Sequence, residues 1–334
     1  MTDIMPDIMD GIDILISEVG PRDGLQSVQS VMRTDAKKAW IKAEAEAGVR
    51  EIEVGSFVPP KLLPQLADTG EIVQYARTIP GLQVAVLVPN FKGAENAIAA
   101  GAHKLTLPLS VSETHSQANL KKTHAQVLEE VEKIAELIKF QPVENRPHFE
   151  GGLSTAFGCT LEGHVPQAKV IEMAEKLIAL GCDEVGLADT TGYANPVQVK
   201  QLVTGIWAAV GRDKLTGIHL HNTRGQGLAN VMAALDIGLY TLDSSLGGLG
   251  GCPFAPGASG NIITEDLVFL LDSMGLKTGI DMEKLMTVRD VLKESIPGEE
   301  LYGFTPDAGL PKGYVQAVHG GSGWGHAASK LAAE

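Results

Sequence analysis

The chain has 334 residues, 44% of them hydrophobic, with 41 acidic against 27 basic side chains and a formal net charge of −14. That length suits a large α/β barrel with an extension, and an acidic balance without any Lys/Arg block excludes the electrostatic footprint of a nucleic-acid binder. No apolar run reaches the ~18–20 residues of a membrane-spanning helix, so no membrane partner is expected. Three cysteines, Cys159, Cys182 and Cys252, show no C-x-x-C spacing, which argues against a disulfide framework or a structural zinc site and for a reducing cytoplasm. The acidic N-terminus, broken by Pro6, is unlike a secretory or mitochondrial leader.

In chain order, short apolar runs alternate with amphipathic stretches. A strand is predicted over 12–19, ending in the run GPRDG (20–24), and then a helix from Thr34 as N-cap to Gly48 as stop. A strand over 50–55 precedes a helix at 67–78. A strand over 82–88 precedes a helix at 91–100, stopped by Gly101. The fourth strand, 104–109, precedes a long helix over 119–139, where Leu128, Val131, Ala135 and Ile138 keep one buried face. Strand 148–156 leads to helix 166–180, with Val170, Met173, Ala174, Leu177 and Ile178 on one side. Strand 184–188 leads to helix 196–210. Strand 216–221 leads to a helix striped by Leu228, Val231, Met232, Leu235 and Leu239. Strand 241–245 is followed by a glycine-rich loop, 246–261, and a helix at 262–274.

Eight strand–helix pairs in strict alternation require parallel strands with crossover helices. Count and length favour a closed (β/α)8 TIM barrel over residues 1–275, with an open doubly wound sheet as the alternative. A C-terminal extension, 276–334, is expected to contribute one more helix at 281–295 and then a Gly/Pro-rich tail that flanks or covers the barrel.

In such a barrel the chemistry lies at the C-terminal ends of the strands. Strand one ends in Arg22 and Asp23, and strand two carries Glu53 near its end. Strand six ends in Asp189 and Thr190, and strand seven in His219, His221 and Asn222. The loop after strand eight holds Cys252 and then Asn261. Alternation sends Ile52 and Val54 against the helices and Glu53 into the barrel, where a carboxylate needs a partner. Taken singly, Asp23, Asp189 and Asn261 could be turn or cap residues; together on one rim they read as a site. His219 and His221, two apart on one strand, would face one side. Two imidazoles, a carboxylate and an amide oxygen form a mixed N/O set suited to Mg²⁺ or Mn²⁺, with Zn²⁺ less favoured. Arg22 adds a planar cation suited to a carboxylate or a developing enolate oxygen.

The segments EVGPRDGLQ (18–26), IEVGSF (52–57), HLHN (219–222) and GGLGGCPFAPGASGN (247–261) together resemble the 3-hydroxy-3-methylglutaryl-CoA lyase family, within a metal-dependent TIM-barrel lyase/synthase superfamily. The resemblance covers roughly residues 12–275. It implies a divalent-metal-dependent retro-Claisen cleavage of a 3-hydroxy dicarboxylic acyl-CoA, with CoA as part of the substrate, and a homo-oligomer. Metal ligands would be Asp23, His219, His221 and Asn261. Arg22 would polarise the thioester carbonyl, Cys252 would transfer a proton, and Glu53 and Asp189 would belong to the acid/base network. Gln26, Thr190, Asn222 and Arg224 would lie against the substrate. The family pattern usually reads Asp-Thr-Tyr where this chain has Asn222, Thr223 and Arg224, and an Arg-Gly-Tyr run where it has Glu150, Gly151 and Gly152. These departures keep citramalyl-CoA and methylmalyl-type thioesters beside the methylglutaryl substrate. A Claisen synthase or a non-catalytic barrel is a more distant alternative.

Overall fold

A computed structural model of the protein describes residues 8–250 and 260–317. Its centre is a closed barrel of eight parallel strands in sequence order: β1 (Leu15–Glu18), β2 (Glu51–Ser56), β3 (Gln83–Leu87), β4 (Lys104–Ser110), β5 (His148–Ser154), β6 (Glu184–Ala188), β7 (Gly217–His219) and β8 (Thr241–Ser244), with β8 pairing back onto β1. The closed barrel, rather than an open sheet, is thus the architecture.

Apolar residues at alternate strand positions, such as Ile52, Val54, Leu105, Leu107, Leu153, Leu187 and Leu242, are buried and pack outward on the crossover helices. Those helices are α1 (Thr34–Ala47), α2 (Thr69–Ala76), α3 (Phe91–Ala100), α4 (Glu113–Asn119), α5 (His124–Lys139), α6 (Gln167–Ala179), α7 (Pro196–Val210), α8 (Gly227–Ile237) and α9 (Thr264–Ser273). Many intervening strand positions are polar and point inward: Lys104 meets Glu51, Glu150 and Glu184, His219 meets Asp243, and Glu53 meets Arg22.

Local chemistry sets the helix ends. Gly48 closes α1 at φ 105°, and a Cβ there would come within 2.2 Å of the Gly279 carbonyl, so only glycine fits. Thr34 is the first residue of α1 rather than its cap; Arg33 holds the cap position, while the Thr34 hydroxyl donates to Asp68 at 2.8 Å. The helix expected over 119–139 begins only at His124, and a separate helix, α4, precedes it over Glu113–Asn119. α4 ends at Asn119, and α5 starts afresh behind a reciprocal capping box of Thr123 and Gln126.

Beyond the barrel, α10 (Met282–Ser295) packs on α1, and a short helix, α11 (Phe304–Ala308), stands where only an irregular tail was expected. Arg289 of α10 pairs with the buried Glu265 of α9 and donates to the Tyr302 carbonyl at 2.9 Å. The Tyr302 N–H in turn reaches the Gly247 carbonyl at 2.8 Å. The extension is thereby stitched to the loop that follows β8. Among the described residues, no helix is long and apolar enough to cross a membrane.

Candidate active site and metal centre

The rim at the C-terminal ends of the strands is built first by the turn after β1. Residues Gly20–Gly24 form one π turn, a form often found at functional sites. Three successive N–H groups, of Arg22, Asp23 and Gly24, converge on the Val19 carbonyl. Glu18 anchors the turn from beneath: its carboxylate accepts from Gly20 N at 2.8 Å, Leu246 N at 2.9 Å and the Thr264 hydroxyl at 2.6 Å. Burial pushes its pKa up to about 8 despite those donors.

Arg22 is clamped between two carboxylates. Its Nε donates to Glu53 Oε2 and its Nη1 to Asp23 Oδ1, both at 2.5 Å. Burial works against the guanidinium charge, but Glu53 and Asp23 outweigh it, so the pKa is raised. For Asp23, burial is likewise overcome, chiefly by Arg22 and then by the two histidines, and its carboxyl lies well below the ordinary range. Burial prevails at Glu53, whose pKa rises to about 7 against the pull of Arg22. Gln26 Nε2 donates to Asp23 Oδ1 at 2.9 Å.

His219 ends β7, one residue pair across from Asp243 of β8. His221 lies past the strand, in an isolated antiparallel bridge with Asn261. The strand is therefore shorter than expected, yet the two rings still meet, with Nε2 atoms 3.0 Å apart. His219 Nδ1 is 3.1 Å from Asp243 Oδ2. Burial disfavours charge on both rings. At His219, Asp243 and Asp23 reverse that and raise the pKa; at His221, the nearby His219 adds to burial and the pKa falls to about 3.

Donor atoms of Asp23, His219 and His221 all lie within 4.8 Å of one another. Asn261 joins them: its Nδ2 donates to Asp23 Oδ2 at 2.8 Å and to the Leu249 carbonyl at 3.0 Å. Its Oδ1, like Nδ1 of His221, is buried without a hydrogen-bond partner among the described residues, an arrangement that otherwise costs free energy. Gly250, at φ 107°, makes this approach feasible, since a Cβ there would sit 2.5 Å from Asn261 Nδ2. Donors at right angles and ~2.1 Å from one octahedral ion lie about 3 Å apart, which matches the imidazole spacing. The residues present fit a divalent cation held by nitrogen and oxygen.

The other expected residues are placed as follows. Asp189 is buried just past β6; its Oδ1 accepts from Tyr193 N at 2.8 Å and Ala194 N at 3.1 Å, and its Oδ2 has no partner among the described residues. Burial lifts its pKa to about 6. Thr190 Oγ1 accepts from Thr155 N at 2.9 Å. Asn222 Oδ1 accepts from Gly227 N at 3.0 Å, at the start of α8. Arg224 donates to the carbonyls of Thr191 and Gly192 at 3.1 and 2.9 Å and lies 4.7 Å over the Tyr193 ring. Cys252 falls outside the described residues.

One residue at the centre was not anticipated. Asp243 lies in the run TLDS (241–244), and the alternation that turns Glu53 inward between Ile52 and Val54 also turns Asp243 inward between Leu242 and Ser244. That signal was present in the sequence.

Comparison with known proteins bears on this arrangement. Residues 13–292 match the model of the HMGL-like family. The mouse mitochondrial hydroxymethylglutaryl-CoA lyase is 40% identical over 85% of this chain and 86% of its own length. The Bacillus subtilis hydroxymethylglutaryl-CoA lyase YngG is 38% identical over 85% of the chain and 93% of its own length. Among solved structures, an HMG-CoA lyase from Acinetobacter baumannii, in complex with coenzyme A and 3-methylmalate, superposes with a TM-score of 0.84 at 40% identity, covering 90% of this chain and 96% of that one.

Proposed function

The chain belongs to the HMGL-like family, and we propose that it cleaves 3-hydroxy-3-methylglutaryl-CoA to acetyl-CoA and acetoacetate. It is a carbon–carbon lyase acting on an acyl-CoA, in a family whose lyases depend on a divalent metal. The observation that carries the substrate-level proposal is the convergence of Arg22, Asp23, His219, His221 and Asn261 on one rim, in a chain about 40% identical to proteins named for that reaction.

Asp23, His219, His221 and the Asn261 amide oxygen would hold the cation, Mg²⁺ or Mn²⁺ by the chemistry of the donor set. When bound, the ion supplies Lewis-acid charge that eases loss of the substrate's tertiary hydroxyl proton. Cleavage then breaks the bond between C2 and C3. The C3 oxygen becomes the ketone of acetoacetate, and the electron pair moves into the thioester as an enolate. Arg22 would stabilise that enolate: it is already charged, and Glu53 and Asp23 fix its plane. The free Oδ2 of Asp189 suits it to accept the hydroxyl proton, with Glu53 in the same network. Protonation of the enolate carbon, assigned to Cys252, releases acetyl-CoA. Gln26, Thr190, Asn222 and Arg224 would complete the proposed substrate wall, with Arg224, over the Tyr193 ring, supplying a cation for an anionic group of the substrate.

The free, buried Cys159 and Cys182 accord with the cytoplasmic placement we propose. Exposed Tyr302, Phe304 and Val315 on the extension support self-association into a dimer or larger assembly, which sedimentation would reveal.

Steady-state assay of the purified protein with Mn²⁺ on the methylglutaryl, citramalyl and a methylmalyl thioester tests the substrate. The expected outcome is preference for the first by at least tenfold in kcat/KM; preference for another would reassign the acyl group. Loss of turnover and of Mn²⁺ binding in His221→Ala is expected; metal-dependent turnover retained by that variant would remove the metal site from the mechanism.

A further inference from the structure

His219 is held on both sides, whereas His221 is not. The Nε2 of His219 faces His221 and, at 4.0 Å, the Asp23 carboxylate. Its Nδ1 faces Asp243 Oδ2 at 3.1 Å. Register explains the second contact, since His219 and Asp243 are directly paired across β7 and β8, so their side chains leave the sheet on the same face at adjacent positions. Asp243 is also paired with Ser17 of β1, so its backbone is fixed by strands on both sides. By contrast, Nδ1 of His221 is buried without a partner among the described residues.

A carboxylate can only accept a hydrogen bond. In a neutral imidazole one nitrogen carries the proton and the other the lone pair, and the partner of one decides the state of the other. We propose that Asp243 is a positioning residue that keeps the proton of His219 on Nδ1, aiming the Nε2 lone pair at the space shared with His221 and Asp23. The role rests on the metal reading of that space given above. Asp243 acts through His219 and need not touch substrate.

The assignment is separable from simple packing. Asp243→Asn keeps the shape of the side chain, but its amide can present N–H as readily as C=O to Nδ1 and so no longer enforces one tautomer. Titration calorimetry with Mn²⁺ alone should show affinity weakened about 10–100-fold in this variant, the scale for loss of a partner to a metal-bound histidine, with the melting curve of the wild type retained. An affinity within twofold of wild type, while His221→Ala abolishes binding, would overturn the role of Asp243 and leave the metal site standing. If the wild type itself takes up no Mn²⁺, the metal reading falls and this assignment with it. A measurement on the wild type needs no variant: ¹⁵N imidazole spectra at alkaline pH should show Nδ1 of His219 protonated and Nε2 bare, and the opposite pattern would overturn the proposal even if Asp243→Asn does not fold.

Discussion

The barrel lumen holds ionised groups at both ends, and the two ends treat charge differently. At the N-terminal end, Lys104 of β4 is ringed by carboxylates: Glu150 at 2.7 Å, Glu184 at 3.1 Å and Glu51 at 3.9 Å. Glu184 is also met by His148 Nε2 at 3.0 Å and by the Thr216 hydroxyl at 3.0 Å. Its pKa is held far down, since Lys104 and His148 overcome burial. Some groups there lack a hydrogen-bond partner among the described residues, Gln83 Nε2, Thr241 Oγ1 and, despite its close approach to Glu184, His148 Nε2, but the charges face one another. At the C-terminal end, inward-facing Glu53 and the turn after β1 give a clamp, Glu53–Arg22–Asp23, whose neighbours leave atoms without partners among the described residues: Asn261 Oδ1, His221 Nδ1 and Asp189 Oδ2. A closed cluster answers its own charges and stabilises the fold. An open one keeps binding capacity for something the chain does not supply, at a cost in stability.

This contrast can be broken most directly at Lys104. Replacing it by Met leaves the buried Glu51 and Glu184 and the part-buried Glu150 without their cation, a change of the kind that costs about 3–5 kcal/mol. Denaturant unfolding should show that loss, while kcat per folded molecule changes little. A stable Lys104→Met protein with crippled turnover would mean the lower cluster belongs to the chemistry.

Arg22 is the mirror case. Arg22→Met should lower kcat by about 10²–10³-fold, the usual effect of deleting a charge that stabilises a developing anion. Its stability penalty should be smaller than that of Lys104→Met, because it leaves two carboxylates rather than three without their cation. Arg22→Lys should recover little, since a point charge cannot span two carboxylates as the guanidinium fork does. Equal unfolding losses for the two variants, with turnover preserved in Arg22→Met, would erase the distinction between the ends.

The same contrast explains what was legible beforehand. Patterns that depend on spacing alone carried through: the eight strands, the crossover helices apart from α4 and the late start of α5, and the helix at 282–295 lie where alternation and periodicity put them, with some ends shifted. The rim residues were legible because barrel topology places strand ends together once the strands are known. What depended on contacts between distant segments was not. β7 ends at His219, and His221 is claimed by a bridge to Asn261, forty residues away, which no local pattern announces. The break between α4 and α5 is different, since Thr123 and Gln126 spell a capping box in the sequence itself. Alternation beside Leu105 and Val185 turns Lys104 and Glu184 inward, but only closure of the barrel makes them one cluster.

The smallest expected effect sharpens the comparison through pH. Burial disfavours charge on His148, but its contact with Glu184, helped by Asp183 and opposed by Lys104, raises its pKa above the usual histidine value. A group whose folded pKa is raised contributes stability that is fully present below its unfolded value of about 6.5 and is lost as pH rises through the folded value. Glu184 works the other way, contributing above the ordinary carboxylate range and failing only in strong acid. His148→Gln should therefore cost about 1 kcal/mol at pH 5.5, the scale of one modest buried polar contact, and nearly nothing at pH 9. Denaturant midpoints of the two proteins, compared across that range, should converge as pH rises. A difference that instead widened toward alkaline pH would show that His148 is neutral in the folded barrel, leaving Lys104 alone to answer three carboxylates.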